Sequence, residues 1–404
     1  MRGVRVIPYH RLIALVVAIN AAVFAIDRDD WRIADGSALR ALGTLTLLNL
    51  AAAVLIRQQR VLNLLFDLAG RVSPKWPLKL RWSVSQVNHV GGIHVGAALA
   101  GTGWLCAFTY VAATGPGDAF TRALAYALAA LTLLIVVCAL PPVRARAHNV
   151  FENTHRFGGW TAVGLFWLLM LHIGEPWQIG VMIVMTASIA APWLHLRRVP
   201  VTVERPSPHA AIVTFDYGVT PTVASAVGIS VSPLREWHPF ATVRTPGQSG
   251  YRLLVSRAGD WTGKFIDDPP SHVWVRGIPT AAPMAKVETN YERVIYVATG
   301  SGIGPVLGQI LARNVPARLV WSVRSPRATY GDALVDEVER AQPDALIWDT
   351  TTHGKPDLVQ LARDAHRDFD AEAVFVVSNK TATWRVVKAM ERLGIPAFGP
   401  IWDS

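Results

Sequence analysis

The segment ERVIYVATGSGIGPVLGQILARN, residues 292–314, combines three patterns that together indicate one local fold. It opens with an uninterrupted apolar run rich in β-branched residues, which predicts a strand buried on both faces. The turn Gly300-Ser301-Gly302-Ile303-Gly304-Pro305 follows, and then a run with the apolar spacing of a helix. Glycines let a ligand approach the backbone closely, and a helix N-terminus presents free N–H groups to an anion. The segment therefore predicts a strand, a phosphate-binding turn and a helix.

The sequence on either side of this segment predicts two kinds of sheet. ARLVWSVRS (317–325) and AEAVFVVSN (371–379) have the pattern of further buried strands, with helical stretches between and after them. Strands that alternate with helices favour a doubly wound parallel sheet, which we place in residues 289–404. Residues 199–288 instead show short bursts of alternating apolar and polar positions separated by Pro, Gly and Ser. They predict a small antiparallel β-barrel or sandwich.

The N-terminal half is too apolar for a soluble domain. The 404-residue chain is 51% hydrophobic and only 17% charged, and its uncharged runs lie before residue 197. About 20 apolar residues are needed to cross a bilayer. Runs of about this length occupy residues 11–27, 38–56, 88–113, 121–140, 157–174 and 177–196. We therefore predict an α-helical membrane domain of six transmembrane helices in residues 1–198.

The formal net charge of +10 is best explained by membrane topology. Lys and Arg are concentrated beside alternate runs, especially in residues 57–81 and 144–156 and at Arg197-Arg198. Cytoplasmic loops carry such an excess, so we expect a multi-pass protein of the plasma (bacterial inner) membrane, with both termini and the C-terminal half in the cytoplasm. Membrane lipid is the expected partner, and nucleic acid is not. The stretch VLNLLFDLAG (61–70) is either an amphipathic helix on the inner face or a buried loop helix.

Local motifs add a family resemblance. WHPFATV (237–243), LLVSRAGDWTGKF (253–265), YVATGSGIGPVLG (296–308) and the closing GIPAFGPIWDS (394–404) occur in this order after six apolar runs. This arrangement resembles the ferric reductase and NADPH oxidase superfamily of transmembrane flavoproteins over nearly the whole chain. Residues 378–404 also resemble the tail of fungal transmembrane flavoproteins and of membrane domains fused to adenylating enzymes. The resemblance implies a cytoplasmic ferredoxin-reductase-like module, with an FAD-binding barrel and an NAD(P)-binding α/β domain.

The resemblance implies roles for residues around the flavin. His238, Pro239 and Phe240 match the family's His-Pro-Phe strand and are implied to line FAD. Trp402 lies near the C-terminus, where the family stacks an aromatic residue on the flavin ring. Ser378 stands near the position of the family's cysteine beside the nicotinamide. Both are therefore implied to be catalytic residues.

The resemblance also implies a site for the nicotinamide nucleotide. The residues implied to hold it are Gly300, Gly302, Gly304 and Pro305. Arg324 and Arg327 follow a predicted strand end, where a 2′-phosphate would require bidentate donors. We therefore expect NADPH rather than NADH as the donor.

Three departures from the family pattern leave room for a different function. Ala241 replaces the hydroxyl residue that usually follows the family's Phe, and residues 275–284 retain only Gly277 of its phosphate loop. Ser378-Asn379 replaces the Cys-Gly pair. These departures leave open a non-catalytic membrane protein that binds nucleotide as a sensor or scaffold.

The histidines of the membrane half do not match a pair of haems. Superfamily members that carry electrons across the bilayer place two histidines on span three and two on span five, 13–14 residues apart on each. Here Phe108 lies 14 positions after His94, and Leu168 lies 13 positions after His155. Neither side chain can ligate iron, so the outer haem is predicted to be absent. His172 is expected to be a polar residue at the outer interface.

A haem or metal centre near the inner face of the predicted membrane domain remains an open alternative. His94 with His155 is the expected axial pair of one b-type haem, and His89 and His148 are the alternates. A non-haem metal, and interfacial imidazoles that bind no metal, are the other interpretations. With a single inner haem or none, electrons would stay at the inner face. We therefore expect an NAD(P)H-dependent flavoprotein oxidoreductase that reduces a small-molecule or lipophilic acceptor there, with or without a partner protein. A transmembrane electron conduit is the alternative.

Overall fold

The computed structural model describes residues 7–26, 36–115, 117–223, 225–245, 247–276, 280–281 and 283–400. The chain forms two compact units that are not contiguous in sequence. The first contains the chain up to Val61 together with His89–Leu194, and the second contains Leu62–Asn88 together with the chain from His195 to Trp402. The predicted boundary at residue 198 lies close to the last break. The predicted membrane domain, however, included residues 62–88, which belong to the second unit.

Helices make up the first unit and also residues 62–88 of the second unit, which contain most of α3 and all of α4. The helices of the described chain up to residue 194 are α1 (Pro8–Ile26), α2 (Gly36–Leu55), α3 (Gln59–Ala69), α4 (Leu78–Ser85), α5 (Gly91–Thr114), α6 (Ala119–Ala139), α7 (Pro141–Arg146), α8 (His148–Asn153), α9 (Gly159–Ile173) and α10 (Pro176–Leu194). A 3-10 turn (Gln86–Val90) joins α4 to α5, and a π-helical turn (Thr154–Gly158) joins α8 to α9. In the described ranges, six helical stretches are long and apolar enough to cross a membrane. The fifth begins at His148, earlier than the predicted residue 157.

Close contacts and polar side chains hold α1, α2 and α5 together. A methyl group at Gly92 would overlap the carbonyl oxygen of Tyr9, so α5 can approach α1 only because this position is a glycine. The Oδ1 atom of Asn20 accepts hydrogen bonds from Asn49 Nδ2 at 2.8 Å and from Trp104 Nε1 at 2.7 Å. In an apolar environment such bonds have no competing water, so this trio fixes the register of the three helices.

The second unit begins with an antiparallel sheet. Its strands are β1 (Leu196–Pro200), β2 (Thr202–Ser207), β3 (Ala210–Phe215), β4 (Ser225–Ser230), β5 (His238–Val243), β6 (Tyr251–Ser256), β7 (His272–Arg276) and β8 (Thr280–Ala281). They pair in the order β1-β7-β4-β5-β6-β3-β2, with β8 beside β4. Alternate residues point inward, and Phe215 stacks on Tyr251 in the core with ring centroids 4.7 Å apart. Helix α11 (Asp260–Asp267) follows β6. The predicted antiparallel β domain is confirmed.

A parallel sheet follows. Its strands are β9 (Val294–Thr299), β10 (Ala317–Val323), β11 (Leu346–Asp349), β12 (Ala373–Val377) and β13 (Ala397–Phe398). The helices around it are α12 (Pro283–Val287), α13 (Ile303–Ala312), α14 (Pro326–Tyr330), α15 (Asp332–Ala341), α16 (Thr350–His353), α17 (Leu358–Asp368) and α18 (Lys380–Arg392). The strand order β11-β10-β9-β12-β13 confirms the predicted doubly wound α/β sheet. Strands β10 and β11 extend the sheet from one edge of β9. The chain then returns, and β12 pairs with the opposite edge of β9.

Residues 62–88 pack on this α/β sheet through one buried arginine. The Arg81 guanidinium donates to both carboxylate oxygens of Glu372, at 2.7 and 2.8 Å, and to the carbonyl oxygen of Asn290 at 3.0 Å. Asn290 Nδ2 in turn donates to the carbonyl oxygen of Ala69 at 2.9 Å. Ala69 is buried in the same core, whereas Leu64 on α3 is more than half exposed. The amphipathic helix predicted for residues 61–70 therefore packs one face on the α/β sheet.

We expect Arg81→Gln to loosen this segment, because the substitution leaves Glu372 without its charged donor. The side chain of Arg81 is only 6% exposed and that of Glu372 is 27% exposed. Loss of one partner from such a pair costs about 2–4 kcal/mol. The measurement is thermal unfolding of the whole chain in detergent, together with the rate of tryptic cleavage at Lys75 and Lys79. Arg71→Gln, at an exposed position of the same segment, is the control and should change neither quantity. Equal effects of the two substitutions would show that the Arg81 fork does not hold the segment.

A second buried ionisable group, the Glu288 carboxyl, lies beside strand β9 of the same α/β sheet. The Glu288 side chain is fully buried in a 3-10 turn (Glu288–Asn290), where it accepts hydrogen bonds from Tyr296 and from Asn314 Nδ2. Burial raises the pKa of the Glu288 carboxyl from its ordinary 4.5 to about 7, against the opposing effect of these hydrogen bonds. A carboxyl with a raised pKa in the folded state favours folding when it is protonated. Its contribution is full below pH 4.5 and is lost as the pH rises to about 7.

Glu288→Gln should therefore stabilise the protein at pH 8 relative to its effect at pH 4.5. The expected difference is roughly 3 kcal/mol, because each unit of pKa shift corresponds to about 1.4 kcal/mol. Melting temperatures of wild type and variant across this pH range give the measurement. Glu292→Gln, an exposed carboxylate nearby, should produce no such pH-dependent difference. A pH-independent difference between wild type and Glu288→Gln would contradict the raised pKa.

Candidate functional site

The glycine turn lies where the strand order of the parallel sheet reverses. Strand β9 ends at Thr299, a tight turn covers Gly300–Gly302, and α13 begins at Ile303. Gly300 has a left-handed backbone with φ +50°, and a methyl group at Gly302 would overlap the carbonyl oxygen of Val377 at the end of β12. The carboxyl ends of β9 and β12 therefore meet at the turn. This is the topological switch point at which open α/β sheets bind their ligands.

Gly304 packs against the β domain, and the nucleotide-binding role implied for it by the resemblance stays a prediction. A methyl group there would lie 3.1 Å from Leu254 Cβ, and one at Gly308 would lie 3.0 Å from the carbonyl oxygen of Thr242. Both positions let α13 pack closely on the β domain. Pro305 lies in the first turn of α13, where the missing N–H leaves no hydrogen bond unmade. Gly300 and Gly302 shape the turn, and Gly304 sets the contact between helix and strand.

Ser378 lies directly beside the glycine turn. Its Oγ is 2.6 Å from Oγ1 of Thr299, so hydroxyl groups join the ends of the two neighbouring strands. The Ser378 carbonyl oxygen accepts a hydrogen bond from Thr383, and the Asn379 side chain caps α18. Ser378 is 5% exposed and is therefore held at the crevice with a defined hydroxyl partner. The resemblance implied that Ser378 lies beside the nicotinamide, and that role stays a prediction.

The two candidate arginines for a 2′-phosphate differ in environment. Arg327 forms ion pairs with Asp336 at 2.6 Å, Glu339 at 2.9 Å and Asp332 at 3.2 Å. The carboxylate of Asp336, followed by that of Asp332, raises the pKa of the Arg327 guanidinium. Arg324 is exposed at the end of β10 and makes no side-chain ion pair within the described ranges. Arg324 is therefore the better candidate, because three carboxylates already neutralise Arg327.

The His-Pro-Phe and Gly-Asp-Trp-Thr motifs meet on the β domain. The His238 ring stacks on Trp261 with centroids 3.8 Å apart and an interplanar angle of 23°. Phe240 lies 6.3 Å from Trp261 on the same side of β5, whereas Pro239 is exposed on the other side. The sequence indicated the segment but did not single out Trp261. An aromatic residue directly after Gly-Asp, at the start of a helix, was the available signal.

Two expectations for this region fall outside the described residues. Trp402, assigned to the flavin ring, lies beyond residue 400. Gly277, the remaining part of the phosphate loop, lies between residues 276 and 280. Their roles stay predictions.

In the first unit, His94 and His155 face one another. Their ring centroids are 6.1 Å apart with an interplanar angle of 75°. His94 Nδ1 lies 2.8 Å from the carbonyl oxygen of Ala53 and donates a hydrogen bond to it, which leaves Nε2 as the ring nitrogen that could bind a metal. His155 lies in the π-helical turn, a local irregularity that often occurs at functional sites. A ligating imidazole has its ring centre roughly 3 Å from the metal, so a 6 Å separation fits one atom between two rings.

The other histidines do not join this pair. His148 is exposed and lies 3.3 Å from Glu152. His89 is buried in the 3-10 turn that precedes α5. His172 is 2.7 Å from Asp118 Oδ2, as suits a polar residue at the end of a helix. At the position of the predicted missing outer ligand, the fully buried Phe108 belongs to an apolar core.

Metal sites made by protein ligands alone are not found in this part of the chain. Within the described ranges, no group of three or more His, Cys, Asp or Glu side chains is arranged to hold an ion. Two facing histidines are too few for such a site, whereas a haem supplies four nitrogen ligands of its own and requires only an axial pair. The residues present therefore fit a haem better than a non-haem metal.

The second unit joins an antiparallel half-barrel to a parallel α/β sheet with a glycine turn at its switch point, and so has a ferredoxin-reductase-like architecture. Residues 284–404 match the family model described as adenylate-forming reductase 03009, C-terminal domain. Over 98% of its length the chain is similar to two proteins of Coprinopsis cinerea, adenylate-forming reductase 06235 at 42% identity and adenylate-forming reductase 03009 at 40% identity. The chain covers 40% of the length of each. It is thus related to adenylate-forming reductases and corresponds to part of them.

Solved structures with a similar arrangement include a ferredoxin–NADP⁺ reductase from Neisseria gonorrhoeae with bound FAD and NADP. The match has 13% identity and a TM-score of 0.40, and it covers 51% of this chain and 99% of that one. A cytochrome P450 reductase from Amycolatopsis matches with 13% identity and a TM-score of 0.38, covering 52% of this chain and 71% of that one. The resemblance to the ferric reductase and NADPH oxidase superfamily stays a prediction.

Gly302→Ala tests the turn. The added methyl group cannot fit against Val377, so the turn must move away from β12, and we expect binding of NADPH to weaken by at least about tenfold. Isothermal titration of the detergent-purified chain with NADPH measures this loss. Ser301→Ala changes the same turn without adding volume and should bind as wild type does. If NADPH binding were unchanged in Gly302→Ala, the nucleotide would not lie at this turn.

Proposed function

We propose that this chain is an integral membrane flavoprotein oxidoreductase. In this proposal its C-terminal unit takes a hydride from NADPH onto FAD. His94 and His155 of its membrane unit would hold a single b-type haem at the inner face, which would supply one-electron transfer to a small-molecule or lipophilic acceptor. The observation that carries the proposal is the glycine turn at the switch point of the parallel sheet, with Ser378 beside it.

The residues of the C-terminal unit have distinct tasks in this reaction. The N–H groups at the start of α13 face the position of the nucleotide phosphates, and Arg324 supplies a cation where a 2′-phosphate would lie. Ser378 and Thr299 close the crevice at the end expected for the nicotinamide. His238, Phe240 and Trp261 supply an aromatic surface for the flavin. FAD, when bound, provides the conversion between hydride transfer and single-electron transfer.

The membrane unit supports transfer at one face. His94 and His155 would hold the haem, and the hydrogen bond that His94 Nδ1–H donates to the Ala53 carbonyl oxygen would fix the orientation of the His94 ring. Phe108, at the position where a histidine would be required to hold a second haem, belongs to an apolar core. This favours a cytoplasmic or membrane-embedded acceptor over a conduit to the opposite side. The relatives are longer than this chain, so the proposal includes an acceptor that is bound to another part of such a longer protein.

A nucleotide-binding sensor without redox activity is the second candidate. The close stack of His238 on Trp261 favours it, because a flavin would have to displace one of these rings to lie between them. The replacement of the family's Cys-Gly pair by Ser378-Asn379 also favours it. The two candidates differ in one observable, which is whether the chain binds a flavin that NADPH reduces.

The deciding experiment is an absorption spectrum of the detergent-purified chain before and after anaerobic addition of NADPH. We expect flavin bands that bleach, and a Soret band with a haem-to-flavin ratio near one. His94→Ala and His155→Ala should each remove the Soret band and leave flavin bleaching intact. His148→Ala, an exposed histidine of the same helical stretch, is the matched control and should retain the haem.

Each other outcome corrects a specific part of the proposal. Bleaching flavin without a Soret band would remove the haem and leave a flavoenzyme. A ratio near two would show that the outer site is functional despite Phe108. If neither chromophore is bound after FAD is supplied, the redox function is wrong and the sensor remains.

A further inference from the structure

A cavity at one end of the antiparallel β domain has no role in the proposed reaction. Its volume is about 110 Å³, and its walls come from the four strands β1, β4, β6 and β7, the chain before β1 and the loop after β3. The residues that line it are His195, Arg197, Tyr217, Val219, Pro221, Val227, Tyr251 and Arg276. None of these belongs to the glycine turn or to the aromatic cluster of His238. Arg276 lies within residues 275–284, the segment compared above with the family's phosphate loop, and the other lining residues lie outside the candidate site.

The polar groups of the cavity suit an anion. Two arginines and a histidine line it, and none of the lining residues is acidic. The hydroxyl groups of Tyr217 and Tyr251 lie 3.3 Å apart, and burial raises the pKa of the Tyr251 hydroxyl, which keeps it protonated. The Arg276 guanidinium lies 4.2 Å from the Trp237 ring centroid, and this contact fixes its position. Guanidinium and phenol donors converging from several strands are suited to the tetrahedral oxygens of a phosphate group.

The size of the cavity limits the ligand. A cavity of roughly 150 Å³ holds benzene, so one of about 110 Å³ admits a single phosphate group and cannot enclose a dinucleotide. FAD and NADPH are therefore too large to be enclosed whole in this cavity. A phosphate group that enters while the rest of its molecule stays outside would fit.

Connectivity places the cavity close to the membrane end of α10. Helix α10 ends at Leu194, His195 is the next residue, and Arg197 lies two positions further. Consecutive Cα atoms are about 3.8 Å apart, so the backbone of Arg197 lies within roughly 11 Å of the end of that helix. If α10 spans the bilayer, phospholipid phosphates are the anions available at the highest local concentration at this level.

We propose that this cavity binds the phosphate group of an anionic phospholipid. The inference rests on the membrane location in the proposed function but not on its redox chemistry. The bound headgroup would link the β domain to the inner leaflet beside the end of α10. A free phosphate ion offers the same tetrahedral oxygens, so the two sources must be distinguished experimentally.

The test uses the full chain, purified in detergent and stripped of lipid. Native mass spectrometry with added phosphatidylserine or phosphatidylcholine measures lipid binding, and the melting temperature with added inorganic phosphate measures binding of the free ion. Arg197→Gln should weaken phosphatidylserine binding by about tenfold, because one charged donor to the phosphate is lost. Arg198→Gln is the matched control, since neighbouring strand residues point to opposite faces and Arg198 does not line the cavity. Tyr217→Phe removes only a hydroxyl group and should weaken binding without impairing folding.

The outcomes separate this inference from the proposed function. Selective loss of phosphatidylserine in Arg197→Gln and Tyr217→Phe, with Arg198→Gln unchanged, supports a lipid headgroup site. Thermal protection by inorganic phosphate that the same two variants lose, without lipid selectivity, assigns the cavity to a free phosphate and overturns the lipid. Equal binding by wild type and all variants overturns the site, even where NADPH still bleaches a flavin. Conversely, a chain without flavin that retains the lipid selectivity would remove the enzyme and leave this site.

Discussion

The contact between Gly302 and the carbonyl oxygen of Val377 is the constraint on which the candidate site depends. A side chain at residue 302 would separate the glycine turn from β12, and the 2.6 Å link between Thr299 and Ser378 would then be lost. The same turn sets the direction of α13, whose Gly304 and Gly308 lie against the β domain. One short segment therefore forms the crevice of the α/β sheet and joins that sheet to the antiparallel domain.

The sequence predicted this part of the fold well because its signals are local. Continuous apolar strands and a glycine turn followed by a helix depend on neighbours within about twenty residues, and the structure contains each of them. The stack of His238 on Trp261 joins residues far apart in the chain, so only the two motifs, and not their contact, could be anticipated. Arg327 shows a related limit. Its position after a strand suggested a phosphate ligand, but the carboxylates that neutralise it lie on the next helix, where sequence alone assigns no partner.

The prediction that an outer haem is absent rests on the lack of a histidine at the spacing that a second haem requires. Counting 14 positions from His94 leads to Phe108, and the absence of an outer haem stays a prediction. Phe108 is fully buried among apolar residues of several helices, where an unligated imidazole would be costly. Which inner histidines pair was not readable, because helical spacing does not show which faces of two helices meet. The facing rings of His94 and His155, and the π-helical turn that carries the second, required the structure.

The packing of residues 62–88 changes what counts as a domain in this chain. A boundary drawn after α10 would separate a soluble fragment from Arg81, Ser85 and Ala69, which the α/β sheet uses as partners. Glu372 would lose its guanidinium, and Asn290 would lose the Ser85 hydroxyl and the Ala69 carbonyl. Each of these groups is buried or partly buried, so its desolvation would no longer be offset by a hydrogen bond. The C-terminal unit is therefore completed by a segment that lies, in sequence, between the apolar helices α2 and α5.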